Sequence, residues 1–446
     1  MNALFKLIKS FFGLEGNNLL LVYGDSGTGK TAFGFEVLRE VGDVGCGFYV
    51  SCGIDRTALL SRYSDLNRYL CEVIDVNDLP FPQEENIYDA VLRSNLPMFL
   101  RYLYERAEKV KSALIFIDDF ERVSNAIGLD PVSVMELYVS FLRHASLRSI
   151  VTVRRNEHLE QIADGVIVLE VKEQDGRVIR KAFVKKLCGL KIRESRFLYT
   201  ILGGRLLPLS RPLKDIENLP RSILDKIQGL ALETGACTGV LGEKLISFGS
   251  ESFDRLLGGL SNEGLNLPIF DVKVHSLIRA LILLNIIKSF INNGGIVLSI
   301  GMEPLLHTPP PLCFKMSPLY FPIQVSGELN LDKIASDIKD LLSGRQGKYI
   351  LLFFNFDYME VALGNSGVSS LIYSLLNSLA LDNICIVGVC SKASRAVQGL
   401  ASRIFLFQEE AGYTLVCGIK PWTPYYHISV SLTYDGYVKL SLTEIV

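Results

Sequence analysis

The sequence predicts an α/β protein of two domains, each a mostly parallel sheet flanked by helices and closed by paired strands. Three observations lead there. Short apolar runs alternate with helical patterns, a glycine-rich loop follows the first run, and a second series of the same elements lacks that loop. A chain of 446 residues, 49% hydrophobic and 21% charged, is globular in composition and long enough for more than one core.

The first half alternates strand-like and helix-like segments. Strands are predicted at LLLVY (19–23), GFYVS (47–51), ALIFI (113–117) and SIVTV (149–153). Helical spacing occurs in TAFGFEVLREV (31–41), ALLSRYSDLNRYL (58–70) and MELYVSFLRHASL (135–147). This alternation predicts a parallel sheet. The segment 165–187 then turns at Asp175-Gly176, which is a hairpin signal, and 197–209 contains another glycine turn.

The second half begins after a proline-rich stretch without periodicity, LLPLSRPLKDIENLP (206–220). This stretch is predicted to link a domain at 1–205 to a domain at 221–446. Strand candidates follow at GLNLPIF (264–270), GGIVLSI (294–300), KYILLFF (348–354) and NICIVGV (383–389), and paired strands at 403–419 and 427–442. The proline-rich insertion 303–322 is predicted to be a surface loop.

The two halves match each other at several places. YVSCGID (49–55) matches VLSIGME (297–303), IFIDDFERV (115–123) matches LFFNFDYMEV (352–361), and ADGVIVLE (163–170) matches ASRIFLF (401–407). The offset is around 240 residues each time. Repeated matches at one offset predict that a whole domain was duplicated.

The loop GDSGTGKT fits the phosphate-binding pattern G-x-x-x-x-G-K-[ST] between a strand and a helix. Its glycines let backbone N–H groups turn toward phosphate oxygens, and the following helix presents its positive end to the same anion. The predicted nucleotide-binding residues are Gly24, Asp25, Ser26, Gly27, Thr28, Gly29, Lys30 and Thr31.

A magnesium ion is predicted beside this loop. The Thr31 hydroxyl is expected to bind Mg²⁺, and Asp118, at the end of the apolar strand ALIFID, is expected to supply the second oxygen. Asp119 either orients the attacking water or faces solvent. ATP and Mg²⁺ are therefore the predicted cofactors.

Composition excludes several other classes. A formal charge of −2 provides no overall attraction to nucleic acid or anionic lipid. The most apolar run, 277–290, is short and interrupted by Arg279, Asn285 and Lys288, so a buried helix is predicted rather than a membrane span. Nine cysteines without a C-x-x-C pair are typical of reduced thiols in the cytoplasm, where we expect the protein.

These residues resemble the RecA/KaiC superfamily, specifically tandem archaeal KaiC-like ATPases related to the gas-vesicle regulator D group. The resemblance is carried by GDSGTGKT with IFIDD, by ADGVIVLE followed by GRVIRKAFVKKLCGLKIRESRFLYTILGGRL, and by ISFGSESFDRLLGGLSNEGLNL in the second half. It covers nearly the whole chain. It implies two RecA-like P-loop domains, ATP bound at a subunit edge, and often assembly into rings or filaments.

The chain also departs from that family. Where the family carries a Glu pair after the second strand, this chain has Gly53 and Ile54, with Asp55 next as a tentative base beside Asp119. The family's Lys-x-Arg motif near the hairpin keeps Lys186, implied to reach a neighbouring subunit's phosphates, but has Cys188 where the arginine stands. An arginine finger contributes about 10³–10⁵ in rate, so slow or partner-stimulated hydrolysis is expected. Arg193 and Arg196 are possible substitutes.

The second half departs further. Its LPIFDVKVHSLIRA (267–280) keeps no glycine where the loop should follow the strand, Leu277 stands near the lysine position, and Asn355 replaces Asp118. A degenerate, pseudo-ATPase domain is therefore predicted, with a structural or regulatory role.

The stretch from Lys172 to Arg196 holds nine Lys or Arg against three acids. A solvated hairpin face, a subunit interface and a nucleic-acid contact are all open readings. Three functions follow: a regulatory ATPase acting as a homo-oligomer or with a protein partner, a recombinase-like protein on single-stranded DNA, and a scaffold that holds ATP without hydrolysing it.

Overall fold

The fold was analysed in a computed structural model. It describes residues 2–42, 47–79, 95–110, 113–154, 156–212, 245–262, 264–300, 320–323, 336, 349–378, 384–432 and 438–446. The chain divides into two units. Unit 1 comprises Met1–Leu209 with Ile445–Val446, and unit 2 comprises Ser210–Glu444.

Unit 1 contains a nine-stranded sheet with helices. Its strands are β1 (Leu19–Tyr23), β2 (Gly47–Ser51), β3 (Leu70–Asp75), β4 (Leu114–Ile117), β5 (Arg148–Val153), β6 (Gly165–Gln174), β7 (Arg177–Leu187), β8 (Arg196–Leu202) and β9 (Arg205–Pro208). Its described helices are α1 (Ala3–Phe12), α2 (Lys30–Glu40), α3 (Arg56–Arg62), α4 (Asn95–Ala107), α5 (Phe120–Ile127), α6 (Pro131–Ala145) and α7 (Glu157–Ile162), with 3₁₀ turns at Ser64–Arg68 and Val76–Asp78.

The strand order of this sheet is β3-β2-β4-β5-β1-β6-β7-β8-β9. The strands from β3 to β6 pair in parallel, and those from β6 to β9 pair antiparallel as successive hairpins. Side chains of β1 alternate between two cores: Leu19 and Leu21 pack on one face, and Leu20 and Val22 on the other. A strand buried on both faces has an unbroken apolar run, as LLLVY does.

Unit 2 repeats this plan. Its described strands are β10 (Leu245–Ile246), β11 (Leu260–Ser261), β12 (Gly264–Phe270), β13 (Ile296–Ile300), β14 (Tyr320–Ile323), β15 (Ile350–Asn355), β16 (Ile384–Val389), β17 (Ala401–Glu410), β18 (Tyr413–Lys420), β19 (Tyr426–Leu432) and β20 (Val438–Glu444). Its described helices are α8 (Glu251–Leu257), α9 (Ser276–Asn292), α10 (Phe356–Ser378, interrupted at Gly364) and α11 (Arg395–Leu400).

The large sheet of unit 2 has the order β14-β13-β15-β16-β12-β17-β18-β19-β20. Each strand occupies the place of its counterpart in unit 1, with β12 for β1 and β17 for β6. The predicted fold class is confirmed: both units are α/β, with mostly parallel sheets flanked by helices and antiparallel strands following.

Three predicted segments differ from the structure. The helical pattern 58–70 holds only α3 and a 3₁₀ turn, and Leu70 begins β3, because pairing with β2 and burial of Leu70 outweigh the local period. Residues 206–208 of the predicted linker lie in β9, which pairs with β8, and residues 213–220 lie outside the described part. Residues 320–322 of the predicted surface loop belong to strand β14, while 303–319 lie outside the described part.

The apolar run 277–290 lies within α9, which is buried against the sheet of unit 2 as predicted. Among the described helices, none is long and apolar enough to cross a bilayer. The N-terminal helix α1 packs Leu4, Phe5 and Ile8 into the core of unit 1.

Candidate nucleotide-binding site

The loop between β1 and α2 needs its glycines for two different steric reasons. A Cβ on Gly24 would lie 2.3 Å from the Leu169 carbonyl oxygen of β6, a backbone atom held by the sheet. Gly29 has φ +89°, and a Cβ there would lie 2.5 Å from the Ile201 Cδ1 atom. Other residues at either position would shift the loop away from this curled path.

Lys30 points its ammonium group into the curl of the loop. Its Nζ donates to the carbonyl oxygens of Gly24 at 2.5 Å and Asp25 at 3.0 Å. Burial lowers the pKa of Lys30, and nearby carboxylates, chiefly Asp118, oppose that shift. The ammonium therefore lies where the loop N–H groups and the helix end would meet an anion.

Asp118 is oriented by three hydroxyl groups. The Thr31 Oγ1 and the Tyr49 hydroxyl donate to Asp118 Oδ2 at 2.9 and 3.1 Å, and the Thr152 Oγ1 donates to Asp118 Oδ1 at 2.7 Å. Burial and this carboxylate raise the pKa of Tyr49, so the phenol keeps its proton. The neighbouring oxygens of Thr31 and Asp118 are hard ligands of the kind Mg²⁺ prefers, so the donor set fits that ion.

A cavity of about 450 Å³ opens beside these groups. Its lining combines loop residues with polar and apolar residues from the ends of the neighbouring strands: Ser26, Gly27, Gly29, Lys30, Thr31, Ala32, Ser51, Cys52, Ile54, Tyr63, Asp118, Asp119, Arg122, Thr152, Val153, Arg154, Ile201 and Gly204. Polar groups gathered at one end of a cleft, beside side chains such as Tyr63 and Ile201, are typical of small-molecule sites. The carboxyl ends of parallel strands meet here, as ligand sites in α/β folds require.

The two tentative base candidates take different positions. Asp119 lines the cavity with a left-handed backbone, φ 58°, and its N–H donates to Thr152 Oγ1 at 2.8 Å. Asp55 is exposed and caps α3, its Oδ1 accepting from the Ala58 N–H at 2.7 Å. Asp55 is not among the residues that line the cavity, so the structure brings only Asp119 to the loop.

The structure does not bring Lys186 to the loop of its own unit. Its Nζ donates to the Ala163 carbonyl oxygen at 2.6 Å, just before β6 begins. The loop lies at the opposite end of the sheet, after β1, which is parallel to β6. In unit 2, Lys420 donates to Ala401 at the same distance of 2.6 Å. Unit 2 lacks the phosphate loop and still forms this bond. The bond therefore does not depend on the loop, and it closes the base of the hairpin in both units.

Sequence reasoning missed several residues around the loop. The Tyr199 hydroxyl donates to the Thr28 carbonyl at 2.6 Å, and Arg180 Nη1 donates to the Gly27 carbonyl at 2.8 Å. These residues come from the hairpin strands β8 and β7, so no local pattern links them to the loop. Arg122 and Arg154 were also missed, although each follows closely after the end of a buried strand, a signal that could have singled them out.

The corresponding loop of unit 2, residues 271–275 between β12 and α9, holds a guanidinium where the loop of unit 1 holds the Lys30 ammonium. Arg279 donates from Nη2 to the Asp271 and Val272 carbonyl oxygens at 2.9 and 3.0 Å, and from Nε to Val274 at 2.8 Å. Asn355, in the place of Asp118, accepts from the Tyr358 N–H at 3.2 Å. In both units, therefore, loop carbonyls accept from a cation; unit 2 differs in having a guanidinium in place of an ammonium and Asn355 in place of Asp118.

Comparisons with known proteins agree with this geometry. Residues 8–185 match the family model described as the P-loop domain of the GvpD gas vesicle protein. The chain is 24% identical over 276 residues to Protein GvpD1 of Halobacterium salinarum (strain ATCC 700922 / JCM 11081 / NRC-1), a match that covers 58% of this chain and 48% of that protein. It is 27% identical over 212 residues to Protein GvpD2 of the same organism, covering 44% of this chain and 42% of that protein.

The chain thus spans less than half the length of each of these relatives. The matched segment 8–185 includes the loop, Asp118 and the strands that carry them. A RecA/KaiC-like plan is consistent with the sheet order, and the loop geometry is that of a nucleotide-binding protein. Residues 8–185 of this chain therefore form a P-loop domain related to that of the GvpD gas vesicle proteins.

Proposed function

We propose that unit 1 binds Mg-ATP and serves as a KaiC-like regulatory ATPase whose hydrolysis is weak or stimulated by a partner. The observation that carries this proposal is the contact between Thr31 and Asp118 beside the Lys30 ammonium. Assembly as a homo-oligomer or with a protein partner, in the cytoplasm, belongs to the same proposal. Unit 2 is proposed to be a pseudo-ATPase domain, since Arg279 occupies its loop.

Each residue of the site has a separate task in this proposal. Loop N–H groups and Lys30 bind the phosphates, and Thr31 and Asp118 hold Mg²⁺, which when bound neutralises charge on the phosphate oxygens. Tyr49 and Thr152 keep the Asp118 carboxylate in orientation. Tyr199 and Arg180 hold the loop from the outside. In this proposal, the residues that bind Mg-ATP do not include the group that would orient the attacking water, so binding does not require hydrolysis.

Slow hydrolysis follows from where the carboxylates lie. A general base must lie within hydrogen-bond reach of the attacking water. Asp55 is committed to the end of α3, which leaves Asp119 on the cavity wall as the proposed group that orients the water. An ATPase with one such group and no arginine at position 188 is expected to act as a switch with long-lived bound nucleotide.

The test is equilibrium binding of Mg-ATP by the purified chain, with Lys30→Ala and, as a matched control, Lys6→Ala on the exposed face of α1. Loss of a charge-assisted contact to phosphate costs about 1.5–3 kcal/mol, or about 10–100-fold in Kd. We expect that weakening for Lys30→Ala and wild-type affinity for Lys6→Ala. A wild-type chain that binds no nucleotide would refute the proposal.

The two other functions have their own readouts. A scaffold that holds ATP predicts binding without phosphate release. A protein on single-stranded DNA predicts salt-sensitive binding through the basic stretch 172–196. Several cations of that stretch have partners within unit 1: Arg180 contacts the loop, Lys185 pairs with Glu160, and Lys186 contacts Ala163. These contacts hold the three side chains against unit 1, and the pair with Glu160 offsets the charge of Lys185, so the regulatory ATPase is preferred.

A further inference from the structure

Arg154 stands next to the phosphate loop because of strand pairing. Strand β5 lies directly beside β1, in parallel, with Tyr23 opposite Val153. Gly24 and Arg154 are therefore the first residues beyond two neighbouring strand ends, about 4.8 Å apart in the pairing direction. Arg154 lines the cavity beside the loop, and Gly24 is the first residue of the loop whose Lys30 and Thr31 line that same cavity. A side chain at this position starts beside the place where phosphates would bind.

Glu121 fixes the backbone at this point and leaves the Arg154 side chain available. Glu121 Oε1 accepts the Arg154 backbone N–H at 2.8 Å. Its Oε2 is buried, with no hydrogen-bond partner in the described part of the chain. Arg154 itself is exposed; among the described residues its charge interacts with the Glu121 carboxylate, where it opposes the rise in pKa caused by burial, and its guanidinium forms no close ion pair there. The backbone is thus anchored while the guanidinium can reach into the cavity.

A second arginine in the lining is less well placed for the phosphates. Arg122 lies in α5 and contributes to the electrostatic environment of Cys52, just after β2. In the sheet order β2-β4-β5-β1, that strand end is three places from β1, whereas β5 is adjacent. Arg154 is therefore the cavity arginine nearest to the phosphate loop along the strand edge.

We propose that Arg154 contacts the terminal phosphate of a nucleoside triphosphate bound to the same chain, and that it thereby distinguishes triphosphate from diphosphate. The inference rests on the proposed nucleotide binding by unit 1. A guanidinium matches the oxygens of a terminal phosphate in a bidentate manner. Lys30 and the loop N–H groups serve both nucleotides, so a further cation is what separates them. Glu121 acts as a positioning residue, through the backbone of Arg154.

The experiment compares Kd values for Mg-ADP and for the β,γ-imido analogue of Mg-ATP. Variants are Arg154→Ala, Arg154→Lys, Glu121→Ala and, as a control, Arg101→Ala, whose side chain is 81% exposed on α4. Wild type is expected to prefer the triphosphate. Arg154→Ala should weaken the triphosphate about tenfold or more and change ADP by less than about twofold. Arg154→Lys should recover part of the preference, and Glu121→Ala should lose part of it.

Other outcomes overturn the inference in distinguishable ways. Equal weakening of both nucleotides in Arg154→Ala would assign Arg154 a structural role. An unchanged preference in that variant, or no preference in wild type, would show that the guanidinium does not read the terminal phosphate. A wild-type chain that binds neither nucleotide would refute the proposed function, and this inference with it. The exposed Arg154 and Arg101 side chains make misfolding of these variants an unexpected result.

Discussion

His427 shows how one buried side chain couples pH to the stability of unit 2. It is 1% exposed in β19, and its Nε2 hydrogen-bonds the Ser210 carbonyl oxygen at 2.7 Å. Its ring also meets that of Tyr413, with 6.1 Å between the centroids. Burial lowers the pKa of His427 from 6.5 to about 4, although the bond to Ser210 opposes the shift. The folded unit therefore holds the neutral imidazole.

This shift predicts acid sensitivity. Because the folded pKa lies below the unfolded value of 6.5, the stabilisation is complete above pH 6.5 and is lost as pH falls toward 4. The full shift corresponds to about 3 kcal/mol of unfolding free energy. We expect the difference in unfolding free energy between wild type and His427→Gln to shrink over this window. Urea titrations of both proteins between pH 7 and pH 4 would measure it, and parallel pH profiles would contradict it.

The strand–loop–helix element after the first strand occurs in both units with a different cation in the loop. In unit 1 the loop after β1 wraps a lysine ammonium, and its glycines avoid clashes with β6 and β8. In unit 2 the loop after β12 directs three backbone carbonyls to the Arg279 guanidinium. The same pair of strand and helix thus carries a glycine-rich loop around a lysine in one unit and a loop whose carbonyls satisfy an arginine in the other.

At this element, Arg279→Ala is expected to destabilise unit 2 by about 1–3 kcal/mol, because three carbonyls lose their donor. Nucleotide binding by unit 1 should stay unchanged. Arg395→Ala, exposed on α11, provides the matched control and should be neutral. Thermal unfolding together with Mg-ATP binding would check both statements. A stable Arg279→Ala variant, or one that gains nucleotide binding in unit 2, would contradict them.

The whole molecule repeats one strand order in two units of very different ligand chemistry. The duplication predicted from matches such as YVSCGID with VLSIGME agrees with the structure, because β2 and β13 hold equivalent places. Only the first copy presents a phosphate loop among the described residues of both units. Ligand-linked stabilisation should therefore be confined to unit 1.

Calorimetry tests this asymmetry. Mg-ATP at about 100 times its Kd adds about 2.7 kcal/mol to the unit that binds it. We expect the midpoint temperature of one unfolding transition to rise and that of the other to stay unchanged. Arg279→Ala should lower the midpoint temperature of the second transition and thereby assign it to unit 2. At the same Mg-ATP concentration, Lys30→Ala with Kd weakened about 10–100-fold should reduce the stabilisation to about 0.4–1.4 kcal/mol. Equal shifts of both transitions would indicate that unit 2 also binds nucleotide.

Local patterns were sufficient for the most apolar strands and for the phosphate loop, but not for segments such as 58–70. LLLVY, GFYVS and SIVTV are apolar runs of strand length. Their burial on both faces explains why the sequence alone was enough to predict them as strands. The loop residues from Gly24 to Thr31 are consecutive, so one short sequence motif contains all the residues of the loop. Asp118 was found because it directly follows such a strand downstream of the phosphate loop, and the structure places it in contact with Thr31.

Other roles depended on contacts between distant parts of the chain. Lys186, implied to reach a neighbouring subunit's phosphates, donates to Ala163 within its own unit, and Asp55, a tentative base, caps α3. Arg154 gains its position from the pairing of β5 with β1 and from a bond to Glu121. Residue type and spacing reveal which groups are available and in which element, because both are local properties. Where a charged side chain points is set by strand order and by hydrogen bonds across the sheet, which form only once the chain has folded.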